Sequence, residues 1–142
     1  MNILFICIGN TCRSVMAEYI AKRVLPSTIY IESAGVESGN GDYYQQHTVD
    51  VINEKLELDL MRLPAKNIST LNLGKFDKLY VLDKSMWSKL RKRKSFKIHR
   101  SKMYCFHVDD PYENDIQVYR DTFNSIMEII VNIVRKDLLN EE

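Results

Sequence analysis

Ile3-Leu4-Phe5-Ile6-Cys7-Ile8-Gly9-Asn10-Thr11-Cys12-Arg13-Ser14 is the stretch that decides how this chain folds. Its first half is apolar without alternation, the pattern of a strand buried on both faces of a parallel sheet. Gly9 and Asn10 end that run. Val15, Met16, Tyr19, Ile20 and Val24 then recur at helical spacing until Leu25-Pro26 closes the helix. The apolar run lacks a basic leading segment and a cleavage site, so it is expected to be the first strand of the domain rather than a signal peptide. No stretch approaches the roughly 20 apolar residues of a membrane-spanning helix.

Working outward, Ile29, Tyr30 and Ile31 predict a second strand ending at Ser33-Ala34-Gly35. Residues 36–43, with Gly39-Asn40-Gly41 at their centre, predict a surface loop. Val49, Ile52 and Leu56 mark a helix, and a short helix is expected near residues 67–72. Leu79-Tyr80-Val81-Leu82 predicts a third buried strand that stops at Asp83. A helix is expected from about Ser85, with Met86, Trp87 and Leu90 inward. Met103 to Val108 predicts a fourth strand. Tyr119, Phe123, Ile126, Met127, Ile130, Ile133 and Val134 hold one helical stripe. Alternating strands and helices predict an α/β fold: one domain over residues 1–142, an open twisted four-stranded parallel sheet with helices on both faces, and a ligand-binding loop after the first strand.

Composition bounds the function. The 142 residues are 45% hydrophobic and 27% charged, which excludes a disordered chain and a membrane bundle. Twenty basic residues against nineteen acidic ones leave a net charge of +1, so nothing global argues for nucleic acid or a membrane surface as partner. Three cysteines fit a reduced compartment, the cytoplasm, better than a disulfide framework.

Segment 7–14 lies where a parallel sheet binds ligands, between a strand's carboxyl end and a helix N-terminus whose free N–H groups attract anions. A thiol at such a place loses its proton more readily, which makes Cys7 a candidate nucleophile. Arg13, six residues on, can grip two oxygens of a tetrahedral oxyanion. Ile8, Gly9, Asn10, Thr11, Cys12, Arg13 and Ser14 are read as the phosphate-binding segment: Gly9 for close backbone approach, Asn10 for its tolerance of the left-handed conformation, Ser14 to donate to the thiolate. This is the minimum constellation for thiolate attack on a phosphate ester. The alternative is a structural cysteine buried beside a capping turn.

An aryl phosphate also needs its leaving oxygen protonated. Val108-Asp109-Asp110-Pro111-Tyr112 offers Asp110, held extended by the proline, with Asp109 as a like charge that favours the protonated acid. The same residues also suit a turn in which Asp109 or Asp110 caps the last helix.

These residues resemble the low-molecular-weight protein tyrosine phosphatases. The resemblance rests on Cys7 to Ser14 followed by Ala17-Glu18, and on Ser33-Ala34-Gly35, Ala65-Lys66, Phe76-Asp77, Leu82-Asp83 and Asp110-Pro111-Tyr112, in the family's order. It implies metal-free hydrolysis of phosphotyrosine in a protein or of a small aryl phosphate, with no cofactor. Cys7 becomes the nucleophile of a phosphocysteine intermediate, Arg13 the phosphate clamp and Asp110 the general acid and base. Ile8, Tyr43, Tyr44 and Tyr112 are assigned to the pocket walls. The chain departs from the family's usual pattern at Val15, at Gly39 where many members carry a bulky aromatic, and at Glu113 where a second tyrosine is common.

Cys12 is either a redox guard that forms a disulfide with Cys7 or a small side chain packed under the loop. Cys105 is read as core. Lys89, Arg91, Lys92, Arg93, Lys94, Lys97, Arg100 and Lys102 form a basic run, either a solvated face or a steering patch for acidic partners. His47, His99 and His107 are too dispersed for a metal site. Three other readings compete: a thiol-dependent arsenate reductase on the same fold, a sulfurtransferase with a similar cysteine loop, and a non-catalytic phosphate-binding module. A monomer with at most weak self-association is expected.

Overall fold

The computed structural model describes residues 1–38 and 41–140. Four strands, β1 (Asn2–Cys7), β2 (Tyr30–Gly35), β3 (Lys78–Val81) and β4 (Met103–Cys105), pair in parallel in the order β2-β1-β3-β4. Helix α1 (Arg13–Val24) joins β1 to β2, and α2 (Gln46–Leu56) follows. Two short helices, α3 (Trp87–Lys92) and α4 (Lys94–Lys97), precede β4. Helix α5 (Ile116–Ile129) passes through a π-helical turn at Ile130–Val134 into α6 (Arg135–Asn140).

The unbroken apolar runs are explained by two cores. Ile3 and Phe5 of β1, with Tyr80 and Leu82, face α1, α2 and α5; Leu4 and Ile6, with Leu79 and Val81, face Leu90 and Phe96 of the short helices. Strand side chains alternate between faces, so a strand apolar at every position needs helices on both sides. That layering is what the sequence predicts. Deleting a fully buried side chain such as Ile6 to alanine costs about 2–5 kcal/mol.

Three expectations change. The helix expected from Ser85 is a 3₁₀ turn at Lys84–Met86 followed by α3 and α4, because the short inward stripe ends at Leu90 and Arg93 is extended. The ladder of the fourth strand stops at Cys105, and Phe106 and Val108 only add single backbone bonds to Val81 and Leu82. In the last helix Ile126, Ile130, Val134 and Leu138 are all buried. Apolar residues four apart drift around an α-helix, and the wider π turn brings them back to the core. Among the described residues, no helix is long and apolar enough to cross a membrane.

Strand order reverses direction at β1, since β2 lies on one side of it and β3 and β4 on the other. The crevice outside the carboxyl ends at such a reversal is the ligand site of open α/β sheets. The segment from Cys7 to Ser14 leaves β1 there.

Candidate active site

Cys7 is the last residue of β1, and the loop after it folds over its sulfur. The Asn10 N–H points to Cys7 Sγ at 3.3 Å, and Ser14 Oγ lies 2.9 Å from the same sulfur. Asn10 has φ of 52°, the left-handed conformation its short polar side chain tolerates. Its side-chain amide donates to Ser14 Oγ at 2.8 Å and to Ser33 Oγ at 2.9 Å, and its Oδ1 accepts the Lys66 N–H. Ser33 in turn donates to Glu18 Oε1 at 2.6 Å. With Asn10 donating to it, the Ser14 hydroxyl hydrogen is free for the sulfur. The loop's curvature is therefore held by a buried polar network, with Asn10 at 0% exposure.

Helix α1 opens without a side-chain cap and without an acidic residue in its first turn. Helix α5, by contrast, is capped by Asp115, which accepts from Gln117 and Val118. An uncapped N-terminus leaves donors for an anion. Asp115 also answers the capping alternative for the aspartates, since neither Asp109 nor Asp110 caps α5.

Arg13 is 3% exposed, and its Nη1 donates to Asp83 Oδ2 at 2.7 Å and to the Val108 carbonyl at 2.8 Å. Nη2 lies 3.6 Å from Asp110 Oδ2. Burial works to lower the pKa of the guanidinium, but the charges of Cys7, Asp110 and Asp83 outweigh it and raise it, so Arg13 stays cationic. Burial likewise pushes the Asp83 carboxyl up, and hydrogen bonds from Ser85 and Arg13 bring it below the usual range. Asp83 is the residue that sequence reasoning did not assign to the site. Its signal was present, a carboxylate directly after a buried strand, at the same sheet edge as Cys7.

Asp110 is half-exposed and accepts the Tyr112 N–H, the local turn that Asp-Pro favours. Asp109 does not face it. His107 Nδ1 accepts the Lys84 N–H, which puts the ring proton on Nε2, and that nitrogen meets Asp109 Oδ1 at 2.9 Å. The expected like-charge pair is thus split, one aspartate toward Arg13 and one toward His107.

The remaining expected residues divide. Ile8 is partly exposed, and Tyr43 and Tyr112 are exposed at 49% and 60%. Tyr44 is a correction: at 3% exposure it packs in the core against α1, so it cannot wall an open pocket. Gln45 beside it donates from Nε2 to Thr11 Oγ1 at 3.0 Å and meets Tyr119 Oη through Oε1, tying α2 and α5 to the loop. The glycine that close packing demands is Gly35: a Cβ there would stand 2.7 Å from Asn10 N and Gly9 C. A Cβ at Gly9 meets nothing nearer than Thr11 Oγ1 at 3.5 Å. Gly39 lies outside the described residues. Cys12 is buried, and burial pushes its thiol up to about 12. Among the described residues, no group of three or more His, Cys, Asp and Glu is arranged to hold a metal ion.

The model of the family described as low molecular weight phosphotyrosine protein phosphatase matches residues 2–142. The chain belongs to that family. A relative from Acinetobacter johnsonii, the low molecular weight protein-tyrosine-phosphatase Ptp, is 30% identical over 127 residues, covering 85% of this chain and 87% of its own. The crystal structure of a low molecular weight protein tyrosine phosphatase from T. tengcongensis superposes with a TM-score of 0.84 at 26% identity, over 96% of this chain and 99% of that one. The YwlE arginine phosphatase from Geobacillus stearothermophilus shares the fold, with a TM-score of 0.83 at 23% identity over 99% and 94% of the two chains. This is a hydrolase family, and phosphatase activity follows from membership in it.

Proposed function

We propose that this chain hydrolyses phosphotyrosine through a phosphocysteine intermediate on Cys7. The observation that carries the reading is the approach of a chain-distant carboxylate to the loop at the carboxyl edge of the sheet: Cys7 ends β1, Arg13 opens α1 six residues on, and Asp110, from beyond β4, lies 3.6 Å from the Arg13 guanidinium. The thiolate attacks phosphorus in line, and the P–O bond to the tyrosyl oxygen breaks. Asp110 gives that oxygen its proton. Nη1 of Arg13 is committed to Asp83 and Val108, which leaves the Nε and Nη2 edge for two phosphate oxygens. The Asp110 carboxylate then takes a proton from water, whose oxygen attacks phosphorus and releases Cys7 and phosphate. The loop N–H groups complete the cradle, and Ile8, Tyr43 and Tyr112 flank the ring. No cofactor enters either step.

Within the same reading, Cys12 guards Cys7 from over-oxidation by forming a disulfide with it. Peroxide takes Cys7 to a sulfenic acid, and the Cys12 thiolate then attacks that sulfur and displaces hydroxide. Burial raises the Cys12 pKa and keeps this thiolate scarce near neutrality, so closure is slow there and speeds up as pH rises. Peroxide inactivation should be reversed by thiol in the parent and not in Cys12→Ser; equal recovery rejects the guard. The free thiols fit a reducing cytoplasm as the place of action.

A second substrate reading rests on the burial of Tyr44. With that ring in the core, Tyr43 and Tyr112 are the aromatic wall residues left of the three expected, and the half-exposed Asp110 carboxylate would suit a cationic leaving group. The site would then cleave the P–N bond of phosphoarginine. Parallel assays on matched phosphotyrosine and phosphoarginine peptides decide between them. Faster tyrosine turnover is expected, and faster arginine turnover overturns it. An arm with arsenate and thioredoxin tests the reductase alternative, for which Cys105, partly buried at the end of β4, offers no evident relay.

A further inference from the structure

The charge of this protein is unevenly placed. Between Lys84 and His107 the sequence holds nine lysines and arginines and no aspartate or glutamate, so the rest of the chain carries eleven cations against nineteen carboxylates. Among the described residues, none of those nine cations forms an ion pair. Cations in the last turn of a helix offset its dipole, and that accounts for Lys89, Arg91 and Lys92 on α3. It does not account for Arg100, which comes from the turn after α4.

Ser88, Arg91, Lys92 and Arg100 line a cavity of about 180 Å³. Two of its walls are pre-positioned. Arg100 donates from Nε to the Arg91 carbonyl at 2.9 Å, which leaves its two terminal amino groups unused. The Arg91 guanidinium lies over the Trp87 ring, 5.2 Å from its centre. An Arg fork fixed at its base and a second fixed by stacking lose little freedom when an anion arrives. No apolar side chain lines the cavity, so it suits a compact tetrahedral anion better than a flat lipid surface.

We propose that this cavity is a non-catalytic docking site for a phosphate monoester on a phosphorylated protein segment. It rests on the proposed phosphatase reading, and it assigns to that activity a preference for substrates carrying a second phosphate. Asp83 holds Arg13 in the active site, and three residues of 3₁₀ helix and the first turn of α3 separate it from Arg91. At about 2.0 and 1.5 Å per residue, that path is about 13 Å long at most. An extended peptide covers about 3.3 Å per residue, so with the reach of the arginine side chains added the two phosphates would stand roughly four to six residues apart. One phosphate sits in the catalytic loop while the other anchors the segment.

The test compares peptides bearing two phosphotyrosines at that spacing with singly phosphorylated versions. The doubly phosphorylated peptide should show kcat/KM about tenfold higher, mainly through KM. Arg91→Gln combined with Arg100→Gln should remove that advantage and leave turnover of a small aryl phosphate unchanged. No advantage in the parent, or an advantage kept in the double variant, overturns the proposal. So does loss of binding to anionic phospholipid vesicles in the double variant without any peptide advantage, which would assign the patch to a membrane surface. If neither protein turns over the aryl phosphate, the phosphatase reading fails, and the docking site is decided by binding. A singly phosphorylated peptide should bind the parent more tightly than the double variant, and equal affinity overturns the site.

Discussion

Arg13 and Arg100 are both arginines near phosphate-sized spaces, and their surroundings are opposites. Arg13 is buried, met by Asp83 at 2.7 Å, by a carbonyl, and by Asp110 at the pocket mouth. Arg100 is exposed, with one backbone contact and no carboxylate among its described partners. A buried charge needs partners because desolvation is expensive, and a fixed, partnered charge is what a transition state can use. An exposed charge with no carboxylate partner keeps its free amino groups for an incoming anion, even where its base is held by the backbone. Catalysis belongs to the first kind of environment and docking to the second.

Substitutions should rank accordingly. Arg13→Ala removes the clamp and leaves Asp83 buried without its partner, so kcat on an aryl phosphate should fall roughly 10³-fold or more; a loss under tenfold would strip Arg13 of its role. Asp110→Ala should lower kcat/KM, which reports phosphoryl transfer to Cys7, by about 10²–10³ on a poor leaving group and much less on p-nitrophenyl phosphate. Equal losses on both would remove the acid function. Asp83→Ala, which touches no substrate, should act through Arg13: about 3 kcal/mol of stability and a smaller kinetic loss than Arg13→Ala. Its pH signature follows from the lowered pKa of Asp83. The stabilisation is complete above the unfolded value near 4 and is lost as pH falls through the lower folded value. Acid unfolding curves of parent and variant should therefore converge below about pH 4, and a constant gap would contradict the pairing. Arg91→Gln with Arg100→Gln should change small-substrate turnover by less than about twofold.

The sequence carried the strongest parts of this account because they are local. The run from Ile3 to Ser14 contains a strand, a turn and a helix start, and those three together place Cys7 at a ligand-binding edge. For Asp110 the restriction imposed by Pro111 left two readings open, a general acid or a helix-capping turn; the family resemblance favoured the acid, and Asp115 caps α5 instead. What could not be read depends on packing between distant segments. Tyr43 and Tyr44 are consecutive and chemically alike, and only the way α2 meets α1 decides that one is exposed and the other buried. Asp83 lies 70 residues from Arg13, and nothing in either neighbourhood alone predicts their contact. Gly35 was visible as part of a motif, but its reason, the approach of β2 to the loop backbone, exists only once β1 and β2 pair.

The central claim is that phosphate passes through Cys7. Acid-quenched turnover of an aryl phosphate by Asp110→Ala, in which the second step lacks its base, followed by mass mapping of the phosphoryl adduct, tests it directly. The account predicts an adduct on Cys7 that accumulates within the first turnover. An adduct on another residue, or continued turnover with no adduct at all, would contradict it.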